Sequence, residues 1–298
     1  MRLGHPDHYA PWLERAHQQV RALLLRLPPP LAEFIIFGFK QAWSCLFGGA
    51  MLALIIASKL VWQQGWAIAR YDFLAVAAIL IQILLIATKL ETWSEARVIA
   101  IFHVVGTAME IFKTHMGSWI YPEDNFLRIG GVPLFTGFMY ACVGSYLARS
   151  TRLLELRYTN YPPLWATLAL ALAIYVNFFT HHFAIDIRLA LFAATVLLFA
   201  RTRVYFLVDK DWRWMPLLLG FILIALFIWF AENIGTFSAT WVYPTQKAAW
   251  HIVSPGKLGA WFLLMIISFV LVSLVHRPKV WRAPAPAPVD KKSAIAMP

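Results

Sequence analysis

The chain has 298 residues, of which 60% are hydrophobic and 14% charged, with a formal net charge of +11. That is too apolar for a soluble domain of this size. The positive residues are scattered between apolar runs and form no phosphate-binding stripe, so nucleic acid is not an expected partner. Cys45 and Cys142 lie inside apolar runs, which excludes a disulfide framework and a CxxC metal or redox motif. Fourteen Trp, ten Tyr and twenty-two Phe suit helix ends that sit among lipid headgroups.

In chain order, residues 9–27 place Leu13, Ala16, Val20, Leu23, Leu24 and Leu27 at roughly helical spacing with arginines between them. This predicts an amphipathic helix on an anionic leaflet, ended by Pro28, Pro29 and Pro30. The segment has too many arginines and no small-residue cleavage site, so it does not read as a signal peptide. A span needs about 20 mostly apolar residues. Eight such stretches are expected, at 41–60, 70–89, 97–117, 129–149, 164–183, 186–207, 214–235 and 257–276. The remainder, from Arg282, is rich in Ala and Pro and predicts a disordered tail.

The loops that share a side with the N-terminus carry eighteen Lys and Arg, against six on the other side. The positive-inside rule therefore puts both termini in the cytoplasm, with the lipid bilayer of a bacterial inner membrane as the partner. The fold expected is an all-α membrane protein of eight transmembrane helices in two parallel four-helix repeats. The divisions expected are residues 1–32, a cytoplasmic amphipathic segment; 33–153 and 154–277, the two repeats; and 278–298, the cytoplasmic tail.

The repeat is carried by one motif. Met109 to Pro122 reads Met-Glu-Ile-Phe-Lys-Thr-His-Met-Gly-Ser-Trp-Ile-Tyr-Pro, and Ala231 to Pro244 reads Ala-Glu-Asn-Ile-Gly-Thr-Phe-Ser-Ala-Thr-Trp-Val-Tyr-Pro. Glu110, Trp119, Tyr121 and Pro122 fall on Glu232, Trp241, Tyr243 and Pro244 without a gap. A carboxylate inside a span is costly and is a candidate functional group by default. On span three, His103, Gly106, Glu110, Lys113 and Gly117 share one helix face. A Glu110–Lys113 pair at i,i+3 would neutralise both, but Glu232 has Gly235 in that position and no local cation. A buried acid kept neutral is what an acid catalyst or a proton relay needs.

Span five ends in Asn177-Phe178-Phe179-Thr180-His181-His182, followed by Asp186. Adjacent histidines diverge by about 100° on a helix, so His181 and His182 cannot both meet one ligand from an undistorted backbone. No metal and no cofactor are expected. The candidate catalytic groups are Glu110, Glu232, His103, His181 and His182. The candidate substrate-binding groups are Trp119, Tyr121, Asn177, Asn233, Trp241 and Tyr243. Aromatic belts alone would put Trp and Tyr at this level. Their place beside the acids suits a pocket for an apolar small-molecule substrate.

Glu110 to Pro122, Gly130-Gly131-Val132-Pro133, Asn177 to His182 and Asp186 together resemble the YoaT-like family of uncharacterised bacterial membrane proteins. The resemblance covers roughly residues 35–277 and implies a multi-span inner-membrane protein with no assigned activity. More faintly, Glu110 with Gly117, Trp119 and Tyr121 is similar to the repeats of integral-membrane lycopene cyclases and carotenoid hydratases, without their Pro-x-Glu-Glu motif. The reading these residues give first is an enzyme on an isoprenoid or lipid-like substrate with a buried Glu as proton donor. A proton- or cation-coupled transporter and a structural or assembly protein are the alternatives. The oligomeric state is left open.

Overall fold

A computed structural model describes residues 27–281 except Gln64, together with Leu24. The predicted N-terminal amphipathic helix, but for Leu24 and Leu27, and the predicted tail from Arg282 lie outside the described residues. The described chain is mostly helical. Helices α1 (Pro29–Ser44) and α2 (Leu46–Val61) meet at a 68° bend, and α3 (Arg70–Ala87) and α4 (Trp93–His115) follow. Then come α5 (Phe135–Leu153), α6 (Leu164–Thr180), α7 (Arg188–Phe199), α8 (Leu217–Phe237) and α9 (Gly256–Val275).

Among the described residues three helices, α3, α8 and α9, are long and apolar enough to cross a membrane, and the bent α1–α2 pair makes a fourth if it counts as one span. Helices α4 and α5 have the length but carry buried charge, including Glu95, Glu110, Lys113 and Arg149. Large exposed side chains such as Leu80 and Leu84 on α3, Leu172 on α6, Leu197 on α7 and Phe227 on α8 form an apolar exterior of the kind a bilayer covers.

The fold is not purely α. Strands β1 (Arg128–Ile129) and β2 (Val132–Pro133) make a small hairpin, and β3 (Arg157–Thr159), β4 (Arg203–Leu207) and β5 (Trp212–Pro216) form an antiparallel sheet. The predicted sixth span, 186–207, therefore overshoots. Helix α7 stops at Phe199, and at about 1.5 Å per residue its 12 residues cover roughly 18 Å. Val204-Tyr205-Phe206-Leu207 continues the apolar run but consists largely of β-formers, and hydrophobicity alone cannot separate such a strand from more helix.

The helix boundaries have local causes. Helix α4 opens with a capping box in which Thr92 and Glu95 satisfy each other's backbone N–H groups. It packs most extensively on α5, where Gly106 lies under the Tyr140 ring, Gly144 under Phe102, and Gly137 against His103 and Thr107. Small residues let the two backbones approach. At the sheet end of the bundle, Glu95 holds Arg152 at 2.8 Å and the fully buried Arg149 lies 3.4 Å from Glu91. Lys40 reaches the carbonyl of Leu207 at the same end.

Candidate functional site

The two motif copies meet at the opposite end. Ile120 and Val242, which hold equivalent places in the copies, form an antiparallel bridge with one hydrogen bond in each direction, both 3.0 Å. The preceding helices end in the same way. The N–H of Ser118 bonds the carbonyl of Lys113 and that of Gly117 bonds Thr114, while Thr240 bonds Gly235 and Ala239 bonds Thr236. These are two Schellman caps, each with its turn residue in the left-handed region: Gly117 at φ +68° and Ala239 at φ +53°. Each cap turns the chain back over its own helix, which brings the aromatic residues down to the acid two turns earlier.

Glu110 is 5% exposed and accepts three hydrogen bonds, from the Trp119 indole at 2.7 Å, the Tyr121 hydroxyl at 2.5 Å and the Tyr140 hydroxyl at 2.8 Å. Glu232 is 2% exposed and accepts from the Tyr243 hydroxyl and from the Trp261 indole at 2.5 Å. The clusters touch where the Trp119 ring meets the Tyr243 ring edge-on, with centroids 6.1 Å apart. Burial, the hydrogen-bonded Glu232 and then the charge of Glu110 push the Tyr243 phenol far above its ordinary range. Burial and Glu110 do the same to Tyr121. Tyr243 thus feels both acids.

Lys113 does not pair with Glu110. Its ammonium donates to Nε2 of His182 at 2.7 Å and lies 3.3 Å from Nε2 of His181, over the Phe178 ring. The two histidines therefore do meet one group, contrary to the helical expectation. Helix α6 ends at Thr180, so both side chains sit on the departing turn, where the 100° rule no longer applies. Burial, Lys113 and His181 hold the His182 imidazole below its usual value. Asp186 accepts from the Asn177 amide and the Arg188 backbone N–H. Burial would raise its carboxyl, but those bonds and the Arg188 charge outweigh it and hold the group low. Among the described residues no group of three or more His, Cys, Asp or Glu side chains could hold a metal ion.

Other candidates lie apart from the acids. His103 stacks on Phe138 and its buried Nδ1 has no partner, so it makes no bond to Glu110. Asn177 ties the end of α6 to Asp186 and Ile187, and Asn233 holds the backbone of Val253. Trp241 packs on Gly235, where a Cβ would collide with its ring, and leaves the indole role at Glu232 to Trp261. Tyr140 and Trp261 escaped the sequence reading. They follow their glutamates by 30 and 29 residues, a matched spacing that was there to be found. Arg70 also escaped: it holds Glu123, just past the first motif copy, and the carbonyls of Ser238 and Ala239 at the end of α8.

The family described as "Protein of unknown function (DUF817)" matches residues 33–269. The chain belongs to the DUF817 family. The match contains both motif copies and every hydrogen-bond donor to Glu110 and Glu232. Uncharacterized protein YoaT of Bacillus subtilis (strain 168) is 42% identical to this chain over 261 residues, covering 88% of this chain and 98% of its own. Two crystal structures of MvINS, a mycobacterial Insig homolog from Mycobacterium vanbaalenii, one of them a cross-linked trimer, are 14% identical. They cover 63% of this DUF817 chain and 98% of their own, with TM-scores of 0.44 and 0.43.

Proposed function

We propose that this DUF817 protein is an eight-span protein of the bacterial cytoplasmic membrane, with parallel halves and both termini in the cytoplasm. Its Glu110–Glu232 cluster lies near the outer face and moves protons for the turnover of a lipid-like substrate. One observation carries the reading: both buried carboxyls are bonded only by neutral Trp N–H and Tyr O–H groups. A structural carboxylate at such depth is usually matched by a cation. A tyrosine hydroxyl can donate to a carboxylate or turn to accept from a carboxylic acid, so these clusters tolerate both protonation states. Glu110 and Glu232 are the proton carriers in this scheme, and Trp119, Tyr121 and Tyr243 form the wall a substrate meets.

The Lys113–His181–His182 group favours a second reading, proton-coupled transport, because it adds titratable groups one turn from Glu110. Deletion with complementation separates the readings. Glu110→Gln and Glu232→Gln keep an acceptor for the Trp and Tyr donors but remove the proton. An enzyme loses complementation and shows an altered extracted-lipid profile. A transporter loses pH-dependent solute uptake in proteoliposomes. Full complementation by both variants overturns both readings in favour of a structural role.

A further inference from the structure

The end of the bundle that carries the motif loops also gathers cations. Lys113 on α4, Arg188 in the first turn of α7 and Lys257 in the first turn of α9 are close enough for their charges to act on one another. Asp186 is bound to Arg188 at 3.1 Å. Glu232, which faces Lys257 from α8, gives its oxygens to Tyr243 and Trp261 and forms no ion pair. The Lys257 ammonium has no hydrogen-bond acceptor among the described residues. Its ammonium lies 4.4 Å from the Tyr243 ring centre and 5.7 Å from that of Trp119. Contact with ring faces leaves N–H donors of an ammonium free for an oxygen ligand. Arg188 and Lys257 also open their helices, so two helix N-termini add partial positive charge at this end.

A groove of about 430 Å³ is lined by Leu172, Ala173, Val176, Asn177, Ile185 and Ile187 among others, and Ile187 is the chain neighbour of Arg188. Its walls are hydrocarbon except at Asn177 and Thr180. The Asn177 amide bonds Asp186, and its carbonyl meets Nδ1 of His181, so the apolar groove reaches the cationic cluster. Long apolar walls ending at positive charge, with the Lys257 ammonium held only against aromatic rings among the described residues, match a molecule with a chain and an anionic head.

We propose that this end of the protein binds the phosphate-type headgroup of an anionic amphiphile, with Lys113, Arg188 and Lys257 as headgroup ligands and the α6–α7 groove holding the hydrocarbon chain. This names a substrate class for the reading above and rests on its outer-face placement. Arg and Lys donors to a phosphate are charge-assisted and among the stronger hydrogen bonds.

The test uses the full chain in nanodiscs, with phosphatidylglycerol or phosphatidylcholine as the added lipid. The wild type binds phosphatidylglycerol preferentially. The Arg188→Gln/Lys257→Gln double variant, which spares the more buried Lys113, loses about tenfold or more in that affinity. Lys210→Gln, exposed at the sheet end, keeps the preference. Competition by inorganic phosphate identifies a site for free oxyanions, and its absence identifies a lipid headgroup; either outcome keeps the anion chemistry. Equal binding of the two lipids by the wild type, or a double variant indistinguishable from it, overturns the proposal. Glu110→Gln separates this from the proton reading, since it retains phosphatidylglycerol preference even where complementation is lost.

Discussion

Ile120 and Val242 each donate a backbone N–H to the other's carbonyl, so two segments about 120 residues apart in sequence are joined at their matching positions. The contact is reciprocal, as in any antiparallel pair. On either side of it, Trp119 and Tyr121 reach Glu110, and Tyr243 reaches Glu232.

Two residues of the second cap respond differently to substitution. Ala239→Gly relieves a left-handed Ala and is expected to raise stability by up to about 1 kcal/mol. Gly235→Ala drives a methyl into the Trp241 ring and is expected to lower it by about 1–3 kcal/mol. Thermal unfolding in detergent reads both, and a neutral Gly235→Ala would mean that Trp241 is free to move.

Removing a donor from either acid leaves a buried oxygen less satisfied. Tyr140→Phe and Trp261→Phe are each expected to cost about 1–3 kcal/mol, the range for leaving a buried polar group unsatisfied. Chemical denaturation of the two variants measures this. Glu110 keeps two other donors and Glu232 only one, so Trp261→Phe should be the more damaging.

At the opposite end, Arg149 and Glu91 are paired with both side chains fully buried. Arg149→Met strands the carboxylate and is expected to cost about 3–5 kcal/mol. Arg149→Met/Glu91→Leu should recover most of that loss, because the double replacement leaves no charge to solvate. A double variant as unstable as the single one would show that Arg149 acts through its bond to the carbonyl of Trp43 instead.

His182 sets a pH dependence. Burial, Lys113 and His181 depress its value in the folded protein. Its contribution is therefore complete above the unfolded-state value of about 6.5 and is lost as pH falls from there through the lower folded value. The melting temperature should drop between about pH 7 and pH 5, with a shallower drop in His182→Gln. Parallel pH curves for the two proteins would remove His182 from the account.

The candidate site was legible wherever its parts lie close in sequence. Glu110 with Trp119 and Tyr121, and Glu232 with Tyr243, fall within about a dozen residues of each other, and each helix cap brings its own loop back onto its acid. Tyr140 and Trp261 each come from the next helix, about 30 residues on, so no local spacing announces them. Lys113 offered Glu110 an i,i+3 partner on paper, yet the loosened turn after Thr180 presents two imidazoles instead. Arg149 counted as a cytoplasmic topology charge in the sequence, whereas packing of α5 against the α3–α4 connection buries it on Glu91.

By itself the sequence determined an apolar, mostly helical chain and the duplicated acid–aromatic motif, because hydrophobic runs and local spacing are properties of neighbouring residues. The tertiary structure decided which donors close on each acid, where Lys113 turns, and that residues 203–207 pair as a strand. Those outcomes depend on contacts between segments far apart in the chain, and they arise only when the backbones pack.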